Sequence, residues 1–328
     1  MLNLLRRRIQ NDDQSMDANA PPPEPGSERP SIALALGGGA ARGFAHIGVI
    51  RTLVAKGFVP DIITGTSIGA VVGGCYAAGK LDDVEAWGKT LTRRSLLSYL
   101  DLSFGGSGLL AGGRLAEKLA GALGEITIDE LPIPFAAIAT ELRTAHEIWI
   151  THGKLIDAMR ASYALPGLFP PVDIGGRWLM DGALVNPLPI SAARALGARV
   201  VIAVNLNADN FGRGTIIHDH GAENVIADEV ARRGLAGADA NGKSVRRKLF
   251  GTAERPGLPT VMVEAFNVMQ DRITRARLAG DPPDVLISPP LGKLGVFEFH
   301  RAEEAIVIGA EAAERAIESV AESVAMLT

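Results

Sequence analysis

Ile62-Ile63-Thr64-Gly65-Thr66-Ser67-Ile68-Gly69-Ala70 sets a serine between two glycines, each two residues away. The apolar pair before it and the small residues after it read as a strand, a sharp turn and a helix. In a GxSxG turn of this kind the serine occupies a strained strand-to-helix corner. Gly65 and Gly69 keep Cβ atoms out of the way of the folded-back backbone. GxSxG also arises by chance in a glycine-rich chain. Here the flanking strand and helix select the elbow reading, with Ser67 as its nucleophile.

Working outward, Ile32 to Leu36 is a short continuous apolar run, which suits a strand buried on both faces. Gly37-Gly38-Gly39 follows it. Ala41 to Lys56 then reads as a helix with Phe44, Ile47, Val49, Ile50, Leu53 and Val54 on its apolar side and Gly57 as its cap. Ile62 and Ile63 make the second strand, and Ile68 to Ala78 a helix of small residues. The order β-α-β-α makes the two strands parallel neighbours. A serine attacking an ester needs donors for the oxygen anion it creates. Glycine-rich backbone opening a helix supplies such N–H groups, so Gly37, Gly38 and Gly39 are the expected oxyanion hole. Nucleophile and anion cradle together point to acyl transfer.

The glycine loop has a competing reading as a dinucleotide fingerprint. It fails on spacing, because G-x-G-x-x-G requires glycine where Arg42 stands. It fails again on the ribose partner, because Asp61 precedes the next strand instead of ending it. Arg42 itself could orient the loop, meet a phosphate head group, or be an ordinary surface or ion-paired arginine.

Further strands are expected at Phe135 to Thr140, His146 to Thr151, Trp178 to Met180, Ala198 to Asn205 and Asp284 to Ser288. Helices are expected at Asp157 to Tyr163, Pro187 to Leu196, Thr260 to Leu278 and about Arg301 to Val324. One three-layer α/β/α domain with a mainly parallel central sheet accounts for this alternation. Its expected extent is 31–328, with a core of about 32–205 and a closing stretch of helices and a strand over 260–328. Residues 1–30 read as a disordered leader, polar and proline-rich after a short basic, apolar start. The stretch 209–259 has poor apolar spacing and reads as an insertion with one or two short helices.

Bulk composition narrows the classes. At 47% hydrophobic and 21% charged residues over 328 positions, the chain can bury a sizeable core. A net charge of −4 gives no global attraction for nucleic acid. The single cysteine, Cys75, excludes an internal disulfide and fits a reducing, cytoplasmic compartment. Arg6, Arg7 and Arg8 interrupt any signal-peptide core. The uncharged stretch Ile62 to Gly79 is nearly long enough to span a bilayer, but its five glycines and the elbow explain it better. The sequence has no metal-ligand cluster, so no cofactor is expected.

A serine nucleophile needs a base. His46, His146, His152, His218, His220 and His300 are the histidines, and none has a persuasive setting. Asp181 has a better one. It ends the strand Trp178-Leu179-Met180 and meets the turn Gly182-Ala183, and active groups in open α/β sheets gather at such ends. Asp-Gly is also a common turn pair; beside a serine elbow the base reading is preferred. A free aspartate titrates near 3.9, so such a base would be ionised but weak at pH 7.

Gly37-Gly38-Gly39-Ala40-Ala41-Arg42-Gly43, then Gly65-Thr66-Ser67-Ile68-Gly69, then Asp181-Gly182-Ala183 together resemble the patatin-like phospholipase family. The bacterial neuropathy-target-esterase-like branch is the nearest likeness. Ala161 to Pro171 and Arg277 to Asp284 also resemble that branch, and the similarity runs from about Ile32 to Ala305. The resemblance implies a Ser–Asp dyad without histidine: Ser67 as nucleophile, Asp181 as base, the glycine loop as oxyanion hole. Many relatives carry Asp before the glycines, where this chain has Leu36. The implied activity is hydrolysis of acyl esters in phospholipids or lysophospholipids, with peripheral membrane contact and no nucleic acid. Leu165, Leu168, Phe169 and Val172 could line an acyl channel or simply close the core. The basic segment Lys243 to Phe250 could touch a bilayer or be a solvated loop. A non-catalytic lipid-binding or regulatory protein on the same fold is the other reading. Oligomeric state is not set by the sequence.

Overall fold

The computed structural model describes residues 29–92, 113–209, 251–252, 255–256 and 258–328. The leader up to residue 28, His218, His220, the basic segment 243–250 and most of the expected insertion lie outside the described residues. Two compact units are present, Met1–Asn210 with Ile273–Thr328, and Phe211–Arg272.

The first unit is built on one mixed, mainly parallel sheet. Its strands are β1 (Ile32–Leu36), β2 (Ile62–Thr66), β3 (Phe135–Glu141), β4 (Glu147–Ile150), β5 (Val172–Ile174), β6 (Arg177–Asp181), β7 (Val200–Val204) and, late in the chain, β10 (Val285–Ile287). Their order is β10-β7-β1-β2-β3-β6-β5, with β4 paired to β3. β10, β7, β1, β2 and β3 are mutually parallel. β4, β5 and β6 add antiparallel pairings at the β3 side. In the second unit, β8 (Gly251–Thr252) and β9 (Arg255–Pro256) form a short antiparallel pair.

Within the first unit, helices cover both faces of the main sheet. The helices are α1 (Ala45–Ala55), α2 (Ile68–Ala77), α3 (Leu81–Thr90), α4 (Gly113–Leu123), α5 (Leu155–Ser162), α6 (Ile190–Ala195), α7 (Leu258–Gly280) and α8 (Ala302–Ala325). In β1, Ile32, Leu34 and Leu36 enter a large cluster with residues of α1, α2, α5 and α8. The alternate residues Ala33 and Ala35 enter a smaller cluster with Ile190 and Ala193 of α6. β7 divides in the same way, with Val200, Ile202 and Val204 on one face and Val201 and Ala203 on the other. In β1 the large side chains thus face the larger cluster and the alanines the smaller one. Burial on both faces is why these strands read as unbroken apolar runs.

Several expectations needed adjustment. The helix expected from Ala41 starts as a 3-10 turn, Ala40–Phe44, and becomes α-helical only at Ala45. There the Ala41 N–H is taken by the Val296 carbonyl. α3, α4 and β5 were not anticipated. The uncharged stretch Ile62 to Gly79, read as the elbow in preference to a membrane span, is divided between β2, the elbow and α2. Among the described residues no helix is long and apolar enough to cross a membrane.

One junction positions everything that follows. β2 pairs with β3 up to Thr66 opposite Ile138. β6 runs the other way and pairs with β3 from Asp181 opposite Ala139. β4 pairs with Ala137 to Thr140, overlapping both, so it holds one edge of β3 and leaves β2 and β6 to share the other. The last residues of β2 and β6 therefore meet head to head along a single edge. Gly182, just past β6, has no room for a Cβ because the Ile138 carbonyl lies against it.

Candidate active site

Ser67 stands at the corner between β2 and α2 with φ 56° and ψ −122°. A side chain in the left-handed region is strained, on the order of 1–3 kcal/mol, and needs its surroundings to hold it there. A Cβ at Gly65 would lie 2.5 Å from the Ala70 backbone, and one at Gly69 would overlap the carbonyl at the end of β1, Leu36. The glycines on either side of the serine are thus required by close packing of backbone on backbone. The Ser67 N–H donates to Ser162 Oγ at 2.8 Å. The residue itself is half-buried.

The Ser67 hydroxyl donates to Asp181 Oδ2 at 2.7 Å, across 114 residues of sequence. The other carboxylate oxygen, Oδ1, accepts the Ala183 N–H at 2.9 Å and caps the 3-10 turn Gly182–Leu184. The Asp181 N–H donates to the Ala164 carbonyl, and its own carbonyl accepts the Thr140 hydroxyl at 2.9 Å. With 2% exposure, the carboxylate has lost nearly all its hydration. Burial pushes its pKa from 3.8 up to about 7, with the Ala183 and Ser67 hydrogen bonds pulling the other way. The sequence-based expectation of an ordinary, weak carboxylate base is corrected by this burial. Asp181 binds a proton far more readily than an exposed aspartate.

The glycine loop is only partly free to serve an anion. The Gly37 N–H donates to the Val204 carbonyl at 3.1 Å, extending the β1–β7 ladder. The Gly38 N–H donates to the Pro187 carbonyl at 3.0 Å. Gly37 and Gly38, expected as oxyanion donors, thus have their N–H groups committed within the protein. Those of Gly39 and Ala40 have no hydrogen-bond partner among the described residues. Ala40 also has a positive φ of 50°.

Two side chains brace this loop. His46 lies on α1, fully buried, with Nε2 2.8 Å from the Gly37 carbonyl. A carbonyl only accepts, so Nε2 carries the proton. Burial holds the imidazole pKa down to about 4 and keeps the ring neutral at pH 7. His46 had no persuasive role by sequence; its role is this contact. Arg42 is 7% exposed, with Nε donating to the Leu294 carbonyl at 2.8 Å and Nη1 to Asn207 Oδ1 at 3.3 Å. Asn207 in turn donates from Nδ2 to the Gly38 carbonyl at 3.1 Å. Of the roles the sequence allowed Arg42, the contact with a phosphate head group is corrected by this burial. The arginine points into the protein and steadies the loop.

No histidine is hydrogen-bonded to Ser67 or Asp181 among the described residues. His146 and His152 are exposed beside Glu141 and Asp129. No group of His, Cys, Asp and Glu suited to a metal ion occurs among the described residues. Leu165, Leu168, Phe169 and Val172 are half-buried and lie just after the Ser162–Ala164 segment that accepts the backbone N–H groups of Ser67 and Asp181. Phe169 packs edge-on against Tyr163 with ring centres 5.5 Å apart. Chemically, the arrangement couples the hydroxyl of a half-buried serine to a buried proton acceptor.

The sequence pattern of the Patatin-like phospholipase family matches residues 34–194. An uncharacterised NTE family protein of Mycobacterium tuberculosis is 36% identical over 335 residues, which cover 90% of this chain and 93% of the relative. Patatin-like phospholipase domain-containing protein 7 of Rattus norvegicus is 35% identical over 185 residues, covering 54% of this chain and 14% of that protein. Among solved structures, VipD from Legionella pneumophila superposes with a TM-score of 0.49 at 14% identity, over 89% of this chain and 67% of that one.

Proposed function

Because this chain belongs to the patatin-like phospholipase family, in its NTE-like branch, we propose that it is a serine acyl hydrolase acting on lipid esters through Ser67 and Asp181. The 2.7 Å hydroxyl-to-carboxylate bond, with the carboxylate buried, is the observation that carries this reading.

In the first half-reaction Ser67 Oγ bonds to the ester carbonyl carbon as its proton passes to Asp181 Oδ2. The negative charge moves to the carbonyl oxygen. Backbone donors stabilise it, with the Gly39 and Ala40 N–H groups best placed to be unspent; Gly38 can join only by releasing Pro187. Loss of one such donor typically costs on the order of 10²–10³ in rate. Collapse of the intermediate breaks the bond to the alcohol, which leaves with the proton from Asp181. Water then repeats the sequence on the acyl-serine and releases the fatty acid. A base with a pKa of about 7 suits this cycle, because it must both take and return a proton near neutrality.

The half-buried apolar residues Leu165, Leu168 and Phe169, which follow Ala164 in the chain, suit an acyl chain better than a small polar ester. A phospholipid or lysophospholipid substrate would bring the protein to a membrane surface peripherally. The test is hydrolysis of a lipid panel by wild type, Ser67→Ala and Asp181→Asn, each checked for folding. Ser67→Ala should abolish release of fatty acid, and Asp181→Asn should lower it by on the order of 10⁴ or more. Full activity in folded Ser67→Ala would overturn the assignment. A wild type inert on every ester, and unlabelled by a fluorophosphonate, would favour a non-catalytic lipid-binding role.

A further inference from the structure

We infer that Ser162 is a positioning residue whose hydroxyl oxygen fixes the nucleophile elbow and so sets the direction in which Ser67 attacks. This rests on the hydrolase reading above. Ser162 is the last residue of α5 and is fully buried. Its Oγ accepts the Ser67 N–H at 2.8 Å, and that N–H has no other partner among the described residues.

The energetics point the same way. Ser67 holds a left-handed backbone that an L-residue adopts at a cost. Gly65 and Gly69 make that conformation sterically accessible, but a glycine offers no side chain to hold its neighbour in place. A hydrogen bond from the serine's own backbone does. The donor is the group attached to the Ser67 Cα, so turning the elbow about this bond displaces the hydroxyl directly.

The same segment also grips the acid. Two residues on, the Ala164 carbonyl accepts the Asp181 N–H at 2.9 Å. Ser162 to Ala164 thus holds the backbone of both dyad members and sets their spacing from one short piece of chain. That piece is itself rigid: Leu155, Ala158, Met159 and Ala161 of α5 are all fully buried. An alanine at 162 would fill nearly the same space but leave the Ser67 N–H without an acceptor.

The experiment compares wild type, Ser162→Ala, Ser162→Cys and Ser162→Thr. For each, kcat and KM are measured on an ester that wild type hydrolyses, together with the second-order rate of Ser67 labelling by a fluorophosphonate and the fraction folded. Ser162→Ala should lower kcat on the order of 10- to 100-fold, the size of loss a small misplacement causes, with KM within about twofold. The labelling rate should fall in step. Ser162→Cys keeps the volume but replaces oxygen by a weak acceptor, and it carries the same expectation should the alanine variant not fold. Ser162→Thr keeps the oxygen and should recover most of the rate. Wild-type kcat and labelling in folded Ser162→Ala or Ser162→Cys would overturn this inference alone. So would a loss confined to KM, or one that merely tracks the fraction unfolded. If wild type neither hydrolyses nor labels, the hydrolase reading falls and this inference falls with it.

Discussion

The ends of β2 and β6 bring Ser67 and Asp181, the two members of the proposed dyad, to one edge of β3, yet they hold them by different means. Ser67 is held by strain at a corner written largely in its own short stretch, a left-handed backbone between two glycines each pressed against main chain, with one distant brace, its N–H on Ser162. Asp181 is held by relaxed geometry and distant partners: its N–H on Ala164, its carbonyl on Thr140, its carboxylate on Ala183 and Ser67. The first end is mainly a local device with one distant brace, and the second a product of the tertiary fold. The nucleophile must project into an open site, which a sharp corner achieves. The base gains its basicity from burial, which only surrounding elements can provide.

The sharpest way to break this contrast is to crowd each corner. Gly69→Ala would force a Cβ into the Leu36 carbonyl, and Gly182→Ala would force one into the Ile138 carbonyl. Main-chain atoms in a sheet cannot move aside cheaply. Each variant should lose about 3 kcal/mol or more of stability in denaturant unfolding. A tolerated Gly182→Ala would mean that the head-to-head junction of β2 and β6 is looser than the β3 register implies. A tolerated Gly69→Ala would say the same of the elbow.

Protonation separates the two braces next. Asp181 titrates at about 7 in the fold and near 3.8 when unfolded, so the native state holds the extra proton between those values. Its contribution to stability is fully present below about pH 4 and is lost as pH rises through about 7. His46 has the opposite sign. Its folded pKa of about 4 lies below the unfolded 6.5, so its contribution is present above about pH 6.5 and is lost as pH falls towards 4. Over nearly the same window the two slopes oppose each other. Wild type should therefore show a shallow stability profile from these groups, whereas Asp181→Asn should lose stability steeply on acidification from pH 7 to 4.5, measured by urea unfolding. In wild type, kcat/KM should fall about tenfold per pH unit below about pH 7 as Asp181 takes up its proton. A rate that stays flat down to pH 5 would mean that the carboxylate is not as buried as its surroundings suggest.

The local device could be read in the sequence, and the distant one largely could not. Gly65-Thr66-Ser67-Ile68-Gly69 contains its own constraint, so strand, corner and helix followed from nine residues. β1 and β7 were legible because strands buried on both faces are apolar throughout. Asp181 could be singled out only as a carboxylate at a strand end. Its raised basicity depends on burial that no window around it records. The same holds for His46, Arg42 and Ser162, whose partners Gly37, Leu294 and Ser67 lie 9, 252 and 95 residues away. The sequence suggested an anion cradle at the glycine loop, but could not show that the Gly37 and Gly38 N–H groups go to Val204 and Pro187, since that depends on where β7 and the segment after Asp181 come to rest. α3 was not singled out although Leu81, Val84 and Trp87 recur at helical spacing on the side packed against the core; only Val84 and Gly88 of it are buried, so the signal is short.

The smallest test bears on that same division. Thr66 and Thr140 are buried threonines on β2 and β3, and each donates its hydroxyl to a backbone carbonyl near the site: Thr66 to Asn186 at 2.8 Å and Thr140 to Asp181 at 2.9 Å. Valine matches threonine in shape and β-propensity, so each Thr→Val change removes one hydrogen bond and leaves a carbonyl short of a donor. Each should cost about 1 kcal/mol of stability. Their effects on rate should differ. Thr140 holds the acid directly, at a strand end with little local constraint, so Thr140→Val should lower kcat severalfold and leave KM unchanged. Thr66 precedes a corner already fixed by Gly65, Gly69 and Ser162, so Thr66→Val should leave kcat within about twofold. Equal losses in kcat would show that the elbow depends on distant contacts as much as the acid does, and the contrast between the two strand ends would then be one of appearance only.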